Sequence, residues 1–118
     1  MLSVLKYNGI EIAKNVEFAR TTLSQSLGLM FRKKIPTGYS MIFILKKPSA
    51  VNVHMLFVFF PIDVILLDEN KKIKGFSRLK PWVGYKAMED IKYVLEMKAG
   101  TIDTFHLSAG GQMEFDDV

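Results

Sequence analysis

Apolar and polar positions alternate with a period of two over residues 10–13 and 72–79, the spacing of a strand with one buried and one wet face, while other short runs are continuously apolar. Residues 2–7 and 10–13 are two runs that flank Asn8-Gly9. That pair accepts the positive φ angles of a type I′ turn, so a β-hairpin is predicted there. The second run is expected to extend through Val16, Glu17, Phe18 and Ala19. Leu23, Leu27 and Met30 then recur at i, i+4 and i+7 behind Thr21 and Thr22, either of which can cap. They predict a short helix that Gly28 ends early. Pro36, Thr37 and Gly38 mark a turn. Residues 39–45 after it are β-rich enough for a strand buried largely on both sides, closed by Lys46, Lys47, Pro48 and Ser49.

The apolar run over 50–60 has no helical stripe and is too long for one simple strand. It predicts two strand pieces with a bend near His54 and Met55. Residues 62–67 and 72–79 form a second hairpin around Asp68, Glu69, Asn70 and Lys71. Residues 80–90, which hold Pro81, Trp82, Gly84 and Tyr85, are expected to form a long irregular loop. Beyond it come a strand over 92–97, a turn or single helical turn from Ala99 to Phe105, and a last short strand over 112–115. Many short strands with no βαβ alternation define an all-β class: a compact β-sandwich or barrel-like single domain over residues 1–118, with one or two short helices.

Composition narrows the chemistry. With 118 residues, 49% of them hydrophobic, the chain can bury a core for one domain, which excludes wholesale disorder. The lack of any Cys excludes disulfides, thiolate metal sites and cysteine nucleophiles. The N-terminal run is broken by Lys6 and followed by Asn8-Gly9, unlike a signal peptide, so a cytoplasmic location is expected. Residues 51–67 include Asn52, His54, Pro61 and Asp63 and are too short to span a bilayer, so no membrane span is expected. The two histidines, His54 and His106, have no metal-ligand spacing, and the glycines form no phosphate-binding motif. No metal and no cofactor are therefore expected.

Gly28-Leu29-Met30-Phe31-Arg32, Met41-Ile42-Phe43, His54-Met55 with residues 61–68, and Tyr93-Val94-Leu95-Glu96 with Ala99-Gly100 occur in this order. Together they resemble the conserved bacterial and archaeal proteins grouped as domain-of-unknown-function family 192, over residues 16–115. The resemblance implies a compact β-sandwich or barrel-like fold and names no reaction. Bacterial members carry an aromatic-Met pair and Asn-Thr where this chain has Leu56, Phe57, Val58, Phe59 and Phe60, so polar groups are missing from that place.

Asp63 is the most informative single residue, because a carboxylate among Ile62, Val64, Ile65, Leu66 and Leu67 must face outward or find a partner. Arg32 and Arg20 are the expected partners, with Asp63 anchoring a loop that contains one or the other. Glu96 in its apolar strand is a candidate second acid, though a solvent-facing Glu is the plainer reading. Trp82 and Tyr85, set among Lys80, Pro81, Gly84 and Lys86, form the leading candidate binding loop for a protein or small-molecule partner. The competing reading has Trp82 covering one open end of the sandwich.

Charge is uneven: residues 31–98 hold 13 Lys and Arg against 6 Asp and Glu. A basic face including Arg32, Lys33, Lys34, Lys46, Lys47, Lys71, Lys72, Lys74, Arg78 and Lys80 would suit nucleic acid, although solvated turn lysines explain it as well. The sequence thus favours a binding module acting through the Trp82 loop. A nucleic-acid binder and an enzyme using Asp63 are the alternatives. Whether residues 57–60 are core or an association surface, and hence the oligomeric state, is left open.

Overall fold

The structure, a computed structural model, describes residues 4–20, 29 and 32–116. Asn8 and Gly9 take φ angles of 47° and 83°, the left-handed pair a type I′ turn requires. They turn β1 (Leu5–Tyr7) back on β2 (Ile10–Ala13) as predicted. The chain continues through β3 (Asn15–Ala19), β4 (Tyr39–His54), β5 (Ile62–Leu67), β6 (Ile73–Leu79), β7 (Tyr85–Lys98), the single helical turn α1 (Thr101–Thr104) and β8 (Met113–Glu114). Two sheets result, β2-β1-β8 and β3-β4-β7-β5-β6, antiparallel throughout except for the parallel pair β3 and β4. The all-β expectation holds, and of the sandwich and barrel-like alternatives the chain forms two packed sheets.

The structure corrects the boundaries of several elements. The run 10–19 is two strands in different sheets, because the N–H groups of Lys14 and Asn15 both donate to the Gly38 carbonyl, at 2.9 and 3.0 Å, and pull the chain across to β4. The strand starting at Tyr39 does not close at Lys46–Ser49. Its pairing with β7 skips from Ile44 opposite Tyr93 to Ser49 opposite Ile91, so Pro48 sits in a register break where the ladder needs no N–H. β4 then runs on to His54, opposite Tyr85, and residues 55–60 form a loop rather than a second strand piece. For the same reason the expected loop 80–90 ends at Gly84. The helix expected over 21–30 lies outside the described residues, Leu29 excepted.

Both faces of the larger sheet are buried. On one face Ile42, Ile65, Leu67, Tyr93, Leu95 and Met97 pack against Leu5, Tyr7, Ile12 and Met113 of the three-stranded sheet. On the other, Met41, Ile62, Val64, Leu66, Leu79 and Val94 pack with Leu29, Ile35, Met55 and Val58. β5 is therefore buried at every position, which is why its sequence is a continuous apolar run interrupted only by Asp63.

Candidate functional site

Asp63 faces the three-stranded sheet, between the rows that hold Ile65 and α1, and is 0% exposed. Its partner is Arg78, directly opposite on β6, which donates from Nε to Oδ1 at 2.8 Å and from Nη2 to Oδ2 at 3.3 Å. The backbone N–H groups of Gly100 and Ile102 donate to Oδ2 at 3.0 and 2.9 Å, so the carboxylate also caps the turn that opens α1. Arg78 reaches on to Asp103 at 2.7 Å, and its bonds to Asp63 and Asp103 hold the guanidinium even more firmly protonated than usual. Asp63 is thus satisfied by a partner, as one of the two expected outcomes, but the partner is neither Arg32 nor Arg20, and the loop it anchors is the turn at Gly100 and Ile102 and not one that holds either arginine. The signal was in the hairpin: partners across an antiparallel pair have a constant number sum, and the sum that joins Ile62 to Leu79 also joins Asp63 to Arg78.

Glu96 stands on the opposite face of the same sheet. Glu17, Met41, Glu96, Val64 and Ser77 lie side by side across β3, β4, β7, β5 and β6. Glu96 is only 8% exposed, so the solvent-facing reading is corrected: β7 is buried on both faces here, and its polar position has no wet side. Burial pushes the Glu96 carboxyl up to about 7, while the charge of Arg32 works in the other direction. Arg32 itself donates to Glu17 Oε2 at 2.6 Å and to the Tyr39 hydroxyl at 3.1 Å, and lies over the Tyr39 ring at 5.7 Å. Burial pushes Tyr39 up to about 12 in spite of Arg32 beside it. The structure brings Arg32 and Glu96 to one face and leaves Asp63 on the other, with the sheet between the two acids.

Trp82 and Tyr85 belong to a third place, the end of the sheet where loop 55–61 leaves β4 and loop 80–84 leads into β7. Six of the seven large apolar side chains exposed among the described residues are found there: Leu56, Phe57, Phe59, Trp82, Val83 and Tyr85, with Val83 at 78% and Trp82 at 43% exposure. Val58 and Met55 turn inward between them. The Phe57 and Phe59 rings meet Trp82 edge-on, with centroids at 5.2 and 5.3 Å. The loops are fastened by main chain: Trp82 N–H donates to the carbonyls of Met55 and Val58, at 3.1 and 3.3 Å, and Met55 N–H to that of Gly84, at 3.1 Å. Phe57 and Trp82 sit at φ 60° and 65°, a left-handed conformation that bulky residues rarely adopt. Gly84 is obligatory, because a Cβ there would stand 2.7 Å from the Lys80 backbone. The Tyr85 hydroxyl donates to Asn52 at 2.8 Å, and His54 Nδ1 accepts from Leu56 N–H at 3.3 Å.

The candidate basic face is partly consumed by the fold. Arg32 and Arg78 are in the ion pairs described, Lys71 donates to the Phe115 carbonyl and lies over its ring, and Lys74 donates to the Glu89 and Asp90 carbonyls. Among the described residues no helix is long and apolar enough to cross a membrane.

These features define a two-sheet β protein with a buried, fully bonded aspartate and an apolar cap of loops. The chain belongs to the domain-of-unknown-function family 192, described as an uncharacterized ACR, whose model matches residues 4–115. It is 38% identical over 117 residues to a UPF0127 protein of Pyrococcus furiosus, covering 98% of this chain and 97% of that one. Two crystal structures have the same fold at 21% identity. A protein of unknown function from Novosphingobium aromaticivorans superposes with a TM-score of 0.83 over 97% of this chain and 84% of its own. A protein from Sinorhizobium meliloti, provisionally named a transcription regulator, superposes with a TM-score of 0.84 over 98% of this chain and 94% of its own.

Proposed function

We propose that this protein is a non-enzymatic binding module that works in the cytoplasm and engages its partner through the Trp82 end of the larger sheet. One observation carries the reading: six large exposed apolar side chains gather on two adjoining loops and the first residue of β7, while the rest of the described surface shows a single other one, Ile10. Scattered exposed apolar residues are ordinary, whereas a contiguous cluster marks an interaction site. The carboxylates offer less for catalysis. Asp63 holds four donors from its own chain, and Glu96 lies on the far side of the sheet from it.

The test separates a binding surface from a structural cover. A Phe59→Ser, Val83→Ser double variant is compared with the unaltered protein for melting temperature and for fluorescence of an environment-sensitive apolar dye. A binding surface predicts an unchanged melting temperature together with loss of the dye signal. A melting temperature lowered by ten degrees or so would correspond to the loss of core packing and would overturn the reading in favour of a cover for the sandwich end.

A further inference from the structure

We infer that the occupant of the Trp82 end is the surface of an anionic lipid bilayer, on which the protein lies with loops 55–61 and 80–84 inserted at the headgroup level. The inference rests on the binding reading above and names its partner.

Chemistry and charge at this end point the same way. Leu56 and Val83 are aliphatic and carry nothing that could hydrogen-bond a polar ligand, and they share the surface with two Phe rings and an indole, the residue types that settle at a membrane interface. There is no Asp or Glu between Glu17 and Asp63, and none between Glu69 and Glu89, so both loops lie wholly within acid-free stretches. Lys80 is exposed at the start of the second loop, and Lys86, partly exposed, follows Tyr85. An apolar tip whose two loops are flanked by Lys80 and Lys86 and carry no acid of their own is the pattern that combines hydrocarbon burial with attraction to acidic headgroups.

The same features disfavour the other occupants. A second copy docked symmetrically would bring Lys80 and Lys86 of one molecule to those of the other, with no acid in either loop to balance them. A nucleic acid would leave Leu56 and Val83 against bases that offer them little, and the Phe57 and Phe59 rings are already packed edge-on to Trp82 rather than spread as a stacking platform. The left-handed backbone at Phe57 and Trp82 holds the aromatic tip in place before contact, so little ordering is needed on binding.

Trp82 is the only tryptophan, so its fluorescence reports this site alone. The protein is titrated with vesicles of phosphatidylcholine, with and without phosphatidylglycerol, and with vesicles whose acyl chains carry bromine. The expected result is a blue-shifted emission with the anionic vesicles, quenched by the brominated chains, and weakened by salt. Lys80→Gln with Lys86→Gln should lower the partition coefficient about 5-fold per lysine, about 25-fold together, without changing the melting temperature. The Phe59→Ser, Val83→Ser variant should abolish the shift.

No response to anionic vesicles overturns the inference. So does a response that soluble glycerophosphate reproduces, one equal with neutral vesicles, one given by a short oligonucleotide instead, or one produced by raising protein concentration without lipid. If the apolar dye still binds while vesicles do not, the binding surface stands and only the lipid assignment falls. If neither binds, both fall.

Discussion

Glu96 sets up a pH dependence that can be worked from its position. The carboxyl is buried between Met41 and Val64 in the middle strand of the larger sheet, and burial raises it from its ordinary 4.5 to about 7 even with Arg32 acting to lower it. Above that pH the folded protein must hold a charge in an apolar layer that the unfolded chain would hold in water. The difference between the two values corresponds to about 3 kcal/mol. The sign follows from which state keeps the proton. Below pH 4.5 both states are protonated and the contribution is fully present; between 4.5 and about 7 the folded protein retains a proton that the unfolded chain has released, so stability falls. Above about 7 the loss is complete and flat. A Glu96→Gln variant keeps the shape and removes the titration. Urea unfolding of both proteins from pH 4 to 8 should show the Gln variant gaining about 3 kcal/mol on the parent across that range. Any packing or hydrogen-bonding cost of the amide is the same at every pH, and the other titrating groups are common to both proteins, so the change in the difference isolates Glu96. A difference that stays constant within about 0.5 kcal/mol would refute the reasoning and place the carboxylate in contact with compensating donors.

Two further substitutions test the remaining parts. Asp63→Asn removes the charge from a fully buried group that holds Arg78, Gly100 and Ile102, and an amide nitrogen would face one of those donors; it should cost about 3 kcal/mol or more in urea unfolding, and an unchanged stability would deny Asp63 its anchoring role. Gly84→Ala forces a Cβ onto the Lys80 backbone and should displace the Trp82 loop, read as a shifted Trp82 emission with the melting temperature lowered by only a few degrees; an unaltered emission spectrum would show that the loop does not depend on this close approach.

Both tight turns and the strands that flank them are legible because they depend on local chemistry: Asn8-Gly9 forms the predicted turn, and Asp68 accepts from the N–H groups of Asn70 and Lys72 at the other. What stayed hidden depended on pairing between distant segments. The length of β4 beyond Pro48 is set by β7, nearly forty residues on, and no local signal says that a proline will fall in a register break. The partner of Asp63 was recoverable from the hairpin register, yet the Gly-Leu-Met-Phe-Arg block drew attention to Arg32, which serves the opposite face. The burial of Glu96 is hidden from the sequence for a related reason. A polar residue in an alternating strand signals a wet face only where the sheet has one, and burial of both faces is a property of the whole fold. The aromatic end was half legible: Trp82 and Tyr85 stood out as a loop, but which of residues 55–60 point outward is decided by the hydrogen bonds that Trp82 makes to the Met55 and Val58 carbonyls.

The balance of forces at that end bears on its purpose. Left-handed backbone costs on the order of 1–3 kcal/mol at a bulky residue, and it occurs twice here, at Phe57 and Trp82. A fold selected for stability alone would relax such strain or use it to bury the rings. Instead the strained positions leave Trp82 and Phe57 near half exposed, and a main-chain lattice between the two loops holds them so. Two charged residues are treated in the opposite manner: Asp63 is walled in by four donors, and Arg32 is tied to Glu17 and Tyr39. Apolar groups at this end are held out in water by main-chain bonds, which is the arrangement that the proposed binding role calls for.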